Sequence, residues 1–304
     1  MKILHFLLFF ISVHFFAQSK DNIMLEPHFE IGKVYRIEIF DNNDSFQTIH
    51  KKTFKHTTEQ KTNVELKYLQ KAGSDYLFSW KIIDKDYMNV DIDAKSIIMI
   101  DFPKKLEIIF KIDSTGQYAG INNYESIIYQ LTKDIDEKFI KKIKKENPNV
   151  KLNWEQVIES YKENIKSSVK LYNSNIEFFF RFNNIFFYKG KSYFSNVRER
   201  SKSSDFSLPM RKVINFSEDD THYILKVNYS LENQYLQSHD YAFYFFDRFP
   251  NYETFKKEYK SQSEGNYIFD KKTCLPTYIE LKSELTYDVK GNKSYSTKIF
   301  KILN

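Results

Sequence analysis

Along much of the chain apolar and polar residues alternate one for one, the spacing of a β-strand with one wet face. Tyr35, Ile37 and Ile39 form one such set and are the inward face of a strand from Phe29 to Phe40, with Val34, Arg36, Glu38 and Phe40 turned outward. Asp41 to Asp44 is a cluster of turn-forming residues and is read as the reversal that follows. The Thr- and Lys-rich segment from Phe46 to Gln70 reads as two polar-faced strands. Tyr76, Phe78, Trp80 and Ile82 alternate within a strand from Asp75 to Val90. Another strand covers Lys105 to Ile112, and the turn Asp113 to Gly116 leads into a short one ending at Ile121.

The period then changes. From Tyr124 the apolar residues Ile128, Leu131, Ile135, Phe139 and Ile143 recur every three or four positions, one face of a helix. Asn122, with Glu125 three residues on, is placed to cap its start, and Asn147 to Asn149 stops it at Pro148. Asn153 with Gln156 caps a second helix, whose stripe is Trp154, Val157, Tyr161, Ile165, Val169 and Tyr172. Two such helices make an αα-hairpin inserted at about residues 123–175, and its apolar stripes need a sheet to cover them.

A run without clear period follows, Ile176 to Tyr188, the most apolar part of the chain beyond its first residues. Strand alternation resumes over Lys191 to Arg200, Phe206 to Phe216, His222 to Leu231 and Tyr241 to Asp247. Tyr252, Phe255 and Tyr259 suit a short helix within Asn251 to Lys260. Gly265 to Tyr287 reads as a hairpin: Tyr267 and Phe269 precede the reversal at Asp270 to Pro276, and Tyr278, Leu281 and Leu285 follow it. A last strand spans Tyr295 to Leu303. The fold class is therefore α+β: a large antiparallel sheet, curved in the manner of a half-barrel, carrying an inserted helical hairpin.

Composition adds a location. Residues 1–17 combine Lys2, the apolar stretch Ile3 to Phe16 and the small residue Ala17, the pattern of an export signal, leaving 18–304 as one β-rich domain. The apolar stretch is short for a bilayer span, and no Cys follows it to take a lipid anchor. The mature chain is thus expected in the periplasm or outside the cell, with no transmembrane helix. Its 29 Phe and 22 Tyr suit half-buried strands. Cys274 is the one cysteine, so no internal disulfide forms. The net charge of +6 is spread thinly, and with export it offers nothing to nucleic acid. The cluster Lys138 to Lys145 is read as the solvated end of a helix.

Catalytic signatures are missing. His28, His50, His56, His222 and His239 have no ligand spacing, so no metal is expected. Asp84 to Asp93 is acidic but lacks the glycine and distal Glu of a calcium loop. Asp113 to Gly116 departs from the Asp-Thr-Gly of aspartic proteases by an extra residue and has no second copy. No nucleophile elbow, phosphate-cradling loop or dinucleotide fingerprint occurs, and no cofactor is implied. The aromatic run remains. Phe178, Phe179, Phe180, Phe182, Phe186 and Phe187 either fill the core under the hairpin or line an apolar cavity for a ligand.

Four pieces of sequence carry a resemblance. They are Phe29-x-x-Gly32-x-x-Tyr35, Phe110 to Tyr118, Asn123 to Ile128, and Gly265 to Thr273. With these the chain resembles a group of exported β-rich proteins of Gram-negative envelopes. The resemblance implies export and a β-rich fold, and brings no activity with it. Where that group often has Gly in the last turn, this chain has Cys274. The layout also looks like that of envelope lipid carriers, a curved sheet closed by helices over an apolar cavity. The leading expectation is an exported, non-catalytic protein that binds a lipid or other apolar or amphiphilic molecule, or an envelope protein. The alternatives are a secreted hydrolase-like enzyme assembled from distant His, Asp and Glu, and a structural protein of the outer membrane.

Overall fold

The computed structural model describes residues 22–49, 52–90, 106–133, 153–200, 207–237, 250–286 and 292–303, with Lys141 and Lys145. The leader, the segment 241–247, Asp91 to Asp93, His50, His239 and most of Lys138 to Lys145 lie outside them. Asn22–Met24 (β1) opens the described chain, and Val34–Ile49 (β2), Lys52–Ala72 (β3), Asp75–Val90 (β4), Glu107–Ile112 (β5) and Tyr118–Ile121 (β6) follow. Two helices come next, Tyr124–Thr132 (α1) and Trp154–Phe180 (α2). Phe186–Tyr188 (β7), Ser192–Arg200 (β8), Ser207–Glu218 (β9) and His222–Leu231 (β10) lead to the short helix Tyr252–Glu258 (α3). Lys260–Asp270 (β11), Pro276–Thr286 (β12) and Lys293–Leu303 (β13) end it.

Eleven strands make one open antiparallel sheet in the order β6-β5-β4-β3-β2-β13-β12-β11-β10-β9-β8; β1 and β7 pair separately. The sheet is curved. Phe180 packs on Phe78 of β4 and Phe110 of β5, whereas Phe182, two residues on, packs on Tyr267 of β11. β5 and β11 stand six places apart, roughly 29 Å in a flat sheet. Only a sheet wrapped round the end of α2 brings both within reach. It stays open at β6 and β8, so these strands form no closed barrel.

The inward faces match the alternation. Tyr35, Ile37 and Ile39 are buried and share one cluster with Val64, Leu66, Phe78, Trp80, Phe110, Tyr267 and Phe300. Four local expectations change. The strand at Phe29 starts at Val34 instead, because Gly32 turns the chain with φ 80° and its N–H bonds Tyr68 O. Asp41 to Asp44 is not a turn but runs on through β2, since β3 and β13 pair it on both sides. Ladder hydrogen bonds along both edges outweigh the local turn preference of Asp and Asn. In β12 the inward set is Ile279, Leu281 and Leu285; Tyr278 lies on the opposite face.

The cap position of the first helix falls one residue later than read, at Asn123 before Tyr124. Asn123 makes no cap; its side chain accepts from Ile109 N–H (2.8 Å) and donates to Glu107 O (3.0 Å). The amide thus stands in for a peptide unit and extends β6 along β5. Ile127 is the fully buried residue of α1, with Ile128 and Leu131 partly covered. Asn153 caps α2 as expected, accepting from Gln156 N–H at 3.3 Å. Asn251 caps α3 by accepting from Thr254 N–H at 2.8 Å, with Phe255 buried beneath.

A strap closes one end of the half-barrel. β1 pairs with β7 beside β8 and β9, His28 N–H bonds Thr273 O, and Phe29 packs against Tyr35, Phe78 and Phe180. Asn184 N–H bonds Leu25 O at 2.6 Å, and Gln117 donates to Asn183 O at 3.0 Å. Gly116 is needed at this crossing. Its φ is 79°, and a Cβ there would stand 2.5 Å from Asn184 Nδ2.

Candidate functional site

Reading across the strands, the concave face falls into bands. Beside the strap, Ile39, Phe300, Ile279, Tyr267, Leu225 and Phe216 are cross-strand neighbours, an unbroken apolar row. One row further on, the character divides. Gln60, Asp41 and Lys298 occupy β3, β2 and β13, and Leu281, Gly265, Val227 and Ile214 continue across β12 to β9. The next row is polar over eight strands: Thr58, Asn43, Ser296, Ser283, Ser263, Tyr229, Lys212 and Ser195. Asn43 and Ser283 are exposed, so water reaches this row.

Helix α2 spans the concavity. Its Asn173 accepts from Tyr118 Oη on β6 at 2.9 Å, and its Asn175 accepts from Lys298 Nζ on β13 at 2.9 Å. Lys298 also stands 2.8 Å from Asp41 Oδ2, and the two side chains are only 18% and 25% exposed. The pair marks the line where the aromatic base ends and the hydroxyl row begins. Asn43 donates to Asp41 at 3.1 Å, which ties the two rows together, and Ser283 shares a 2.6 Å hydrogen bond with Ser296 within the hydroxyl row. Burial pushes the Tyr118 hydroxyl pKa well up, aided by the charge of Glu177.

At the other side of the same face, the end of α2 places Arg181 against three rings. Its guanidinium lies 4.3 Å from the Phe178 ring centre and donates to Tyr229 Oη at 3.4 Å. It also bonds the Tyr267 hydroxyl, whose pKa is held well up by burial despite the nearby guanidinium. Gly265 makes that arrangement possible: a Cβ there would meet the Tyr267 ring at 2.8 Å. Lys212 Nζ stands 5.5 Å from the Phe182 ring centre and 5.7 Å from that of Tyr229. A second apolar cluster, Leu208, Met210, Leu236, Phe255 and Tyr259, lies toward the far ends of β9 and β11, with α3 covering it.

The six phenylalanines singled out from sequence do not share one wall. Phe179, Phe180, Phe182 and Phe187 are buried in the main cluster, ring against ring with Trp80, Phe110, Tyr267 and Phe216. Phe178 is half-buried under Arg181, and Phe186 is 59% exposed on the outer side of β7. The run itself divides between helix and strand, since Ile176 to Phe180 prolong α2 and Phe186 to Tyr188 form β7. The residues missed from sequence are Asp41, Lys298, Asn175, Lys212 and Arg181. Arg181 had a signal, being the one charge between Phe178 and Tyr188.

Among the described residues no group of three His, Cys, Asp or Glu is placed to hold a metal ion. Asp113 closes its turn by accepting from Thr115 and Gln117 N–H. Asp84 accepts from Asn63, its partner across β3 and β4. His222 sits in the turn with Thr221 and Asp219. No described helix is long and apolar enough to cross a membrane.

No protein-family model and no curated protein sequence matches the chain. Among solved structures it is similar to one titled for lipid–protein interactions in lipovitellin, with 10% identity and a TM-score of 0.42. That likeness covers 91% of this chain and 26% of the other, so this chain spans about a quarter of its length. A Vibrio parahaemolyticus domain described as an outer membrane lipoprotein-sorting protein is similar at 6% identity and TM-score 0.15, covering 88% of this chain and 86% of that one.

Proposed function

We propose that the protein is an exported, non-catalytic binder of an amphiphilic molecule, held on the concave face beneath α2. One observation carries the reading: the concave face is itself amphipathic, an aromatic base joined at Lys298 and Asp41 to a hydroxyl-rich row eight strands wide. A face buried throughout the fold would be apolar, and one meant only for water would not be spanned by a helix. An amphiphile satisfies both bands, its chain on the apolar edge and its head on the hydroxyls. Export is supported by the charge, apolar run and small residue of positions 1–17.

The test is native mass spectrometry of the protein recovered from envelope extract without detergent, followed by organic extraction. A co-purifying lipid or other amphiphile supports the reading and names the class. A clean apo mass, with no binding of added amphiphile, overturns it.

A further inference from the structure

We propose that the β8 edge of the half-barrel docks on an anionic lipid surface, through the rings of Phe186, Tyr188 and Phe194 and the cations beside them. Docking here does not depend on what the concave face binds. β8 is the last strand in the sheet order, and a turn joins it to β7, with Lys191 N–H bonding Tyr188 O at 3.3 Å. Phe187 points inward from β7 onto Tyr193 and Phe216. Its neighbours Phe186 and Tyr188 therefore point away, and Met24 of β1 pairs with Phe186 on that same outer face. On β8 the alternation repeats: Tyr193 faces the concavity with Phe187, and Phe194 faces the convex side. Phe194 is 63% exposed, Phe186 59% and Tyr188 40%.

Single exposed apolar residues are ordinary on a surface, but three large rings within nine residues of chain make a patch. Each side of it carries a cation on a ring. Lys191 Nζ lies 4.8 Å from the Tyr188 ring centre, and the Arg211 guanidinium lies 5.7 Å from that of Phe194. Arg198 is exposed further along β8, on the same face as Phe194. The carboxylate of Glu218 is already held by Lys189 and Lys271. Aromatic rings beside Lys and Arg suit a membrane interface, where the ring lies at the level of the head groups and the cation meets phosphate. The shape favours a bilayer over a protein, because the rings stand on both sides of one edge strand. A fluid interface closes round such an edge, whereas a rigid partner needs a groove cut to fit it.

The test is co-sedimentation of the purified protein with vesicles of equal parts phosphatidylglycerol and phosphatidylcholine, and with vesicles of phosphatidylcholine alone. Binding to the mixed vesicles is expected to be roughly tenfold tighter or more, and to weaken as salt rises. F186S/F194S should lose binding to both, and K191Q/R211Q should lose the preference for the anionic vesicles. F194W should show added fluorescence that shifts to the blue on the mixed vesicles and is quenched by brominated lipid, which puts the edge in the interface. Amphiphile binding on the concave face should be unchanged in all these variants. No vesicle binding by the wild type, equal binding to the two kinds of vesicle, or binding untouched by either double variant overturns the proposal. Self-association that F186S/F194S abolishes, without vesicle binding, overturns it in favour of a second copy of the chain.

Discussion

Lys298 on β13 donates to Asn175 on α2 at 2.9 Å, although 123 residues separate them. With Asp41 on the neighbouring strand, this contact holds the long helix over the sheet at the boundary between the two bands. Replacing Lys298 by Met leaves Asp41 half-buried without its ammonium. The expected cost is about 1–3 kcal/mol in urea unfolding, with faster amide exchange over residues 170–180. D41N/K298M should recover part of the loss. Unchanged stability and exchange in K298M would show that the contact does not hold the helix.

The aromatic run separates into core and surface by burial, and stability should follow the same division. Phe180 touches Phe29, Phe78, Phe110 and Phe179. F180A should lose about 3–5 kcal/mol. F186A, at an exposed position of β7, should stay within about 0.5 kcal/mol of wild type. Urea midpoints for the two variants check this directly. A mild effect of F180A would mean the helix end is loosely packed.

Cys274 sits where the resemblance pointed to Gly, and its φ of 52° is the left-handed region that favours glycine. Asp270 organises the turn around it, accepting from Lys272 and Thr273 N–H and from the Thr273 hydroxyl. Burial pushes the thiol pKa up, so the side chain stays protonated and slow to react at neutral pH. C274G should leave the melting temperature equal or higher, while C274V, β-branched, should lower it. A lower melting temperature for C274G than for C274V would contradict the strained-turn account.

Acid should destabilise the protein through its turns. The Thr115 hydroxyl and Gln117 N–H hold the Asp113 carboxyl below its usual range, and Lys189 with Lys271 do the same for Glu218. At Asp270 burial opposes the shift, but bonds from Thr273 and Lys272 outweigh it. Each carboxyl has a lower pKa folded than unfolded. The stability it contributes is therefore full above the unfolded value, about pH 4, and is lost as pH falls through the folded value. The urea midpoint should be flat from neutral pH to about pH 5 and then fall, with a shallower fall in D113N and E218Q. An equal acid slope in both variants and wild type would contradict the assignment.

The strands were legible because alternation survives wherever one face meets the core, as at Tyr35, Ile37 and Ile39. The length of α2 was also legible in principle: Tyr172, Ile176, Phe179 and Phe180 continue its spacing of three and four into the aromatic run. Asp41 to Asp44 misled because two neighbouring ladders, invisible in the local sequence, decide its state. The polar row was hidden for the same reason. Ser263, Ser283 and Ser296 are unremarkable apart and become one surface only when register aligns them. Arg181 stood out as the one charge between Phe178 and Tyr188, but its meeting with Lys212 and Tyr229 depends on the curvature of the sheet.

The central claim is that an amphiphile lies on the concave face beneath α2, and photo-crosslinking with an alkyl diazirine probe tests it most directly. The account predicts adducts on the apolar edge of the concave face, at Leu281 of β12, Val227 of β10 and Ile214 of β9, reduced by competing unlabelled amphiphile. Adducts confined to the outer face, for example around Phe186 or Phe194, or adducts that competition leaves unchanged, would contradict it.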